Sequence, residues 1–97
     1  MIRTFKGKAL EDLFNGKASK AARKACPVSL WPSVYRKLDL LDSAVSLNDL
    51  LVPPGNMLEA LKGDRLGQYR IRVNRQYRIC FNWNNDGPEN VEVIDYH

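Results

Sequence analysis

The sequence predicts an α/β (α+β) protein in which N-terminal helices pack on a small twisted antiparallel sheet. Two observations carry this prediction: apolar residues recur at helical spacing through the first half of the chain, and the spacing changes to alternation in the last third. Length is the third. At 97 residues there is room for one core, burying ~60 to 65% of the unfolded surface, so residues 1–97 are read as a single domain.

Each element has its own local cause. Ile2 to Phe5 alternates apolar and polar residues, as a short edge strand would. Lys8 to Phe14 sets Leu10, Leu13 and Phe14 at helical spacing, with Asn15-Gly16 as a stop signal. Residues 17 to 32, KASKAARKACPVSLWP, permit helix through their alanines and lysines, but they have little apolar periodicity and two prolines, and are expected to be the most mobile segment. From Ser33, a candidate N-cap, Val34, Tyr35, Leu38, Leu41 and Val45 trace a stripe that predicts a core-facing helix. Ser46 opens a brief helical turn, SLNDLL, with Asp49 placed to complete a capping box before Pro53-Pro54-Gly55 ends it.

The alternating third reads as a three-strand meander. Tyr69, Ile71 and Val73 alternate with arginines, Tyr77, Ile79, Phe81 and Trp83 with polar residues or cysteine, and Val91 and Val93 with Asn90 and Glu92; Asn85-Asp86-Gly87-Pro88 supplies the last turn. Tyr69, Tyr77 and Trp83 share the apolar face and are read as core. A two-residue loop at Asn74-Arg75 would set Ile71 against Arg78. A three-residue loop, Asn74 to Gln76, pairs Val73 with Tyr77, Ile71 with Ile79 and Arg72 with Arg78. A one-residue slip would turn the whole apolar set to solvent, so the three-residue loop is predicted. Its consequence is a cross-strand pair of like charges with Arg70 nearby. Such opposition costs stability, so either acids such as Glu89 and Glu92 neutralise it or the face awaits an anion.

Composition narrows the partners. A hydrophobic share of 44% and a charged share of 27% are those of an ordinary globular domain. No apolar run approaches the ~18 residues of a membrane span, and MIRTFKGKAL lacks the apolar core of a secretory signal, so the expected location is the cytoplasm. Cys26 and Cys80 are read as buried or incidental thiols, and no metal ligand set is completed around them. Between Lys62 and Arg78, six cations (Lys62, Arg65, Arg70, Arg72, Arg75, Arg78) face one anion, Asp64; this local +5 exceeds the +4 of the whole chain. Lys17, Lys20, Arg23 and Lys24 form a second cluster. Fields of this kind attract polyanions, which makes nucleic acid the first partner to consider.

The stretch LEALKGDRLGQYRIRVNRQYRICFNW (58–83), closed by NVEVIDYH (90–97), resembles the HigB group of the RelE superfamily of toxins, also called plasmid maintenance system killer proteins. MIRTFKGKALEDLF and RKLDLLDSAVSLNDL share the similarity, and the most selective features are L-K-G-D-R-x-G, the R-I-x-V and Y-R-I-x-F strands, and D-Y-H. The resemblance implies a RelE-like fold and a ribosome-dependent endoribonuclease that cuts translated mRNA. It also implies a helix-turn-helix antitoxin that holds the toxin inactive, and operator DNA bound indirectly through the toxin–antitoxin complex. No cofactor or metal is implied: the substrate's own 2′-hydroxyl attacks, leaving cyclic phosphate and 5′-hydroxyl ends.

By matching motif positions, the resemblance assigns Lys62 and Arg78 to the scissile phosphate and its developing charge, Asp95 and His97 to proton transfer, and Tyr96 to a hydroxyl donor or stacking ring. Which of Asp95 and His97 is base and which acid stays open. Arg65, Arg70, Arg72 and Arg75 are candidates to track the RNA backbone. Glu59 stands where close relatives can carry a catalytic histidine, and an acid there acts as a base only if its pKa is raised. Strict alternation from Val91 and Val93 sends Asp95 and His97 to the apolar face, so a bulge at Val93-Ile94 is expected to turn the tail toward the arginines. The alternative reading is a non-catalytic inhibitor on the same fold, like the gyrase-binding ParE branch; Lys62 and D-Y-H favour the nuclease.

Overall fold

The computed structural model describes residues 1–96. Its elements run α1 (Ala9–Phe14), α2 (Lys20–Ala25), α3 (Trp31–Ser43), β1 (Glu59–Ala60), β2 (Gln68–Arg72), β3 (Tyr77–Asn84) and β4 (Gly87–Asp95), with short 3₁₀ turns between them. The strands form one antiparallel sheet in the order β1-β2-β3-β4, and the helices cover one of its faces. Leu10 and Leu13 of α1, Ala22 of α2 and Val34, Leu38 and Leu41 of α3 meet Ile71, Ile79, Phe81 and Val91 in a single core, as the predicted fold class requires. The opposite face carries the arginines.

The three-residue loop holds. Ile71 pairs with Ile79 and Arg72 with Arg78, while the Asn74 side chain closes the turn by accepting the N–H groups of Gln76 (2.9 Å) and Tyr77 (2.7 Å). The capping box at Ser46 and Asp49 also forms. Asp49 accepts from the Val45 and Ser46 N–H groups, and these bonds hold its carboxyl below the usual range.

Three expectations need correction. Ile2 to Phe5 makes only an isolated parallel bridge, Phe5 to Val91; its backbone still covers the outer edge of β4, with Arg3 N–H on the Pro88 carbonyl (2.8 Å) and Lys6 N–H on the Val91 carbonyl (3.0 Å). Residues 17 to 32 hold the helix that their alanines and lysines permit. Ser19 caps α2 by accepting the Ala22 N–H at 3.1 Å, and Ala22 and Cys26, four apart, are buried in the core; alanine and cysteine are too small to register as an apolar stripe. Ser33 is not the cap of α3, which begins at Trp31 with Pro32 in the first turn, where a missing N–H costs nothing. Tyr35 and Val45 lie off the buried stripe and are exposed, Tyr35 because it is a full helical step around from Val34.

The fourth strand of the sheet is β1, at a place the sequence does not mark. β1 has only two residues, so no alternation marks it, and it is held by what precedes it. Asn56, fully buried, donates to the carbonyls of Leu50 (3.1 Å) and Val52 (3.3 Å) and accepts from the Lys37 ammonium. Met57 then turns through the left-handed region (φ 48°), Leu58 packs on the core, and Glu59 emerges opposite Arg70. Asn56→Ala leaves two carbonyls and an ammonium without this partner; we expect a loss of about 1 to 3 kcal/mol, read as a lowered urea midpoint with unchanged slope.

Candidate nucleic-acid interface

The outer face of the sheet gathers a small set of side chains because the register leaves them no alternative. Arg72 and Arg78 are directly opposed, and Arg70 is opposite Cys80 on the same face. Arg78 Nη1 donates back to the carbonyls of Asn74 and Tyr77 (3.2 Å to the second), so the turn anchors one end of its planar fork. Tyr96, whose backbone N–H bonds the Gln76 carbonyl, lays its ring beside two of these three arginines: the Arg70 Cζ is 4.9 Å and the Arg78 Cζ 5.9 Å from the ring centre, within cation–π range. Glu59 reaches Arg70 from β1 with Oε2 at 2.9 Å from Nη2.

Electrostatics separate these arginines. Hydrogen bonding to Tyr96, and then to Glu59, holds the Arg70 guanidinium above its ordinary pKa. Arg78 is drawn below its ordinary value by burial first and then by the charges of Arg72 and Arg70. It stays a cation, but an anion arriving there would relieve the repulsion. Among the described residues the ion pairs are Lys6–Glu92, Arg65–Glu92 and Arg70–Glu59; Arg72 and Arg78 have none. Of the two alternatives, neutralisation of Arg72 and Arg78 by Glu89 and Glu92 is not what the structure shows. Glu92 is committed to Lys6 and Arg65, and Glu89 accepts from the Asn84 amide.

The other expected residues fall around this centre. Lys62 is exposed and N-caps the 3₁₀ turn Gly63–Arg65 in the β1–β2 loop. Arg65 turns along the sheet to Gln68 (2.9 Å) and Glu92 (3.4 Å), and Arg75 sits exposed at the tip of the β2–β3 turn. The bulge expected at Val93-Ile94 is absent: Ile94 pairs with Arg78 and Val93 with Ile79 in unbroken register. The irregularity lies instead between Cys80 and Asn82, where Asn90 (φ 53°) is the extra residue and its amide donates to Asn82 Oδ1 at 3.1 Å. Alternation therefore carries Asp95 opposite Tyr77, on the face away from Arg78, where its charge adds to burial in raising the Tyr77 pKa. Tyr96 is the described residue of D-Y-H on the cationic face; His97 lies outside the described residues.

Sequence reasoning missed two contributors. The Glu59–Arg70 pair depends on a strand too short to carry a pattern, and Cys80, fully buried, forms the floor beneath Tyr96. Burial raises the Cys80 thiol pKa, partly offset by Arg65 and by the Tyr96 hydroxyl. No group of three His, Cys, Asp or Glu side chains is arranged to hold a metal ion among the described residues, and no helix there is long and apolar enough to cross a membrane.

A short antiparallel sheet is thus backed by helices on one side and carries guanidinium groups on the other. The chain belongs to the HigB-like toxin family: the model of the RelE-like toxin of the type II toxin-antitoxin system HigB matches residues 3–97. It is 40% identical to Toxin HigB-1 of Vibrio cholerae serotype O1, over all of this chain and 98% of that protein. It is 31% identical to Endoribonuclease HigB of Proteus vulgaris over the whole of both chains. Among solved structures, it superposes on the YoeB–YefM complex from Staphylococcus aureus with a TM-score of 0.63 at 21% identity, covering 100% of this chain and 95% of that one. The YoeB dimer from the same organism gives 0.61 at 21% identity, covering 99% and 94%; these two likenesses establish the fold.

Shielding of Cys80 by Tyr96 is directly measurable. In a Cys26→Ala background, Cys80 should react slowly with a thiol-specific disulfide reagent, because it is buried and its thiolate disfavoured. Tyr96→Ala should speed the reaction several-fold at unchanged melting temperature, and equal rates would show that the ring does not cover this face.

Proposed function

We propose that this toxin is a ribosome-dependent endoribonuclease that cleaves translated mRNA in the cytoplasm and is neutralised by a helix-turn-helix antitoxin, the complex of the two repressing their own operator DNA. The observation that carries the reading is the placement of the Tyr96 ring against Arg70 and Arg78 on a sheet face with more guanidinium than carboxylate. Membership of a family in which the Proteus vulgaris relative is named an endoribonuclease supports it, and a YoeB–YefM complex among the structural neighbours supports an antitoxin partner.

The chemistry asked of the site is modest in covalent terms. The 2′-oxygen bonds to phosphorus as it loses its proton, the phosphorane gathers negative charge, and the bond to the 5′-oxygen breaks as that oxygen takes a proton. Arg78 and Arg70 offer planar forks that match phosphate oxygens, which a lysine does as a point charge. Lys62 in the adjoining loop is assigned to the same phosphate, with Arg72, Arg65 and Arg75 along the strand's path. Stabilising charge that develops only in the transition state is what raises rate. Tyr96 supplies a ring for a base to stack on and a hydroxyl donor. His97 is assigned to proton transfer by its motif position, and Asp95, facing Tyr77, to holding the tail in line.

The test is to express the protein without its partner and map RNA ends. Cuts within translated codons should vanish when initiation is blocked, and Arg78→Ala should lower cleavage about 10²- to 10³-fold while the protein stays folded. Intact messages with stalled DNA replication would overturn the nuclease assignment in favour of a protein-binding inhibitor, and full cleavage by Arg78→Ala would remove that residue from the site.

A further inference from the structure

Glu59 is set apart from the other acids near the cationic face. Glu92 and Glu89 are turned to Lys6, Arg65 and Asn84, whereas Glu59 lies in the strand position opposite Arg70 with its carboxylate 2.9 Å from the guanidinium. Its side chain is 56% exposed and that of Arg70 25%, so the pair is open to solvent and to exchange. A carboxylate on a guanidinium fork presents the same two-oxygen edge as a phosphodiester.

We propose that Glu59 occupies a phosphate subsite on Arg70, so that an incoming strand must displace it, and that this residue sets specificity by making free RNA a poor ligand. The inference rests on the nuclease reading and names how that site chooses its substrate. The Glu59 field reaches further than its contact, since it acts on Arg78 as well as on Arg70. An RNA strand diffusing freely has to break the pair with nothing in return beyond its replacement. A strand already held in place by another machine meets the site at high effective concentration, which offsets the same displacement cost. Discrimination here comes from weakening the wrong encounter rather than from strengthening the right one.

The position of β1 makes this a built feature. Buried Asn56, the left-handed turn at Met57 and the core contact of Leu58 deliver Glu59 to Arg70 from a separate strand. No local sequence neighbour of Arg70 supplies the acid. Because Glu59 is exposed, replacing it should leave the core intact.

The experiment measures binding apart from cleavage, using a short, fluorescently labelled 2′-O-methyl oligoribonucleotide and the full-length chain. Glu59→Gln should tighten binding about two- to fivefold, the range of an exposed ion pair, and steepen the logarithmic salt dependence by about 0.7, one extra phosphate on a single strand. Glu11→Gln, which makes the same change of net charge on the exposed side of α1, should do neither. The proposal is overturned if Glu59→Gln binds no more tightly than Glu11→Gln, or binds more weakly than the unaltered protein. If Glu59→Gln tightens binding while no translated message is cut, the subsite stands and the nuclease reading fails; cleavage with no effect of Glu59→Gln on binding gives the reverse.

Discussion

The pairing of Ile71 with Ile79, continued by Val93 on the next strand, is the constraint on which the rest depends. It decides which residues face solvent together. Burying Ile71 and Ile79 fully is worth roughly 1.5 to 3 kcal/mol each, and slipping the register by one residue would forfeit them jointly. Opposing Arg72 to Arg78 costs on the order of 0.2 to 1 kcal/mol. The core therefore wins by several-fold, and like charges are held against each other without any local reason to be there. A cationic site follows from apolar packing on the far side of the same strands.

What relieves the repulsion is partial and adjustable. Glu59 takes one guanidinium, and the ring of Tyr96 lies against two, contacts worth about 0.2 to 1 kcal/mol each when exposed. Both are weak enough to yield to a phosphate. Arg78 has burial and two cationic neighbours against its charge, and its own fork is tied to the turn carbonyls. Stability and function are thus coupled through one sheet: the inner face supplies rigidity, and the outer face carries cationic charge that a polyanion can meet.

The sheet was legible in the sequence because alternation and turn length together admit one register, and Asn74 closes the turn with the side chain that the three-residue loop needs. The long helix was legible where Val34, Leu38 and Leu41 recur. Elsewhere the physical signal was too small or came from far along the chain. Ala22 and Cys26 bury little area individually, so α2 shows no apolar stripe, and Pro32 fits the first turn of α3 although proline usually marks a break. β1 and its Glu59–Arg70 pair arise from a buried asparagine that organises the backbone ahead of it, a tertiary effect that no local pattern records. Two consecutive apolar residues, Val93 and Ile94, resemble a break in alternation, but Ile94 lies beside Arg78 on the outer face, while Asn90 tolerates the left-handed backbone that the bulge requires.

The central claim is that the outer sheet face, and not the basic α2 side of the molecule, receives the RNA strand. Photo-crosslinking with a 4-thiouridine oligoribonucleotide, followed by mapping of the attached residues, tests it most directly. The account predicts attachment at Tyr96 and along β2 and β3, competed by unlabelled RNA and lost in Arg70→Gln/Arg78→Gln. Crosslinks concentrated at Lys17 to Lys24, unaffected by removing the two arginines, would contradict it.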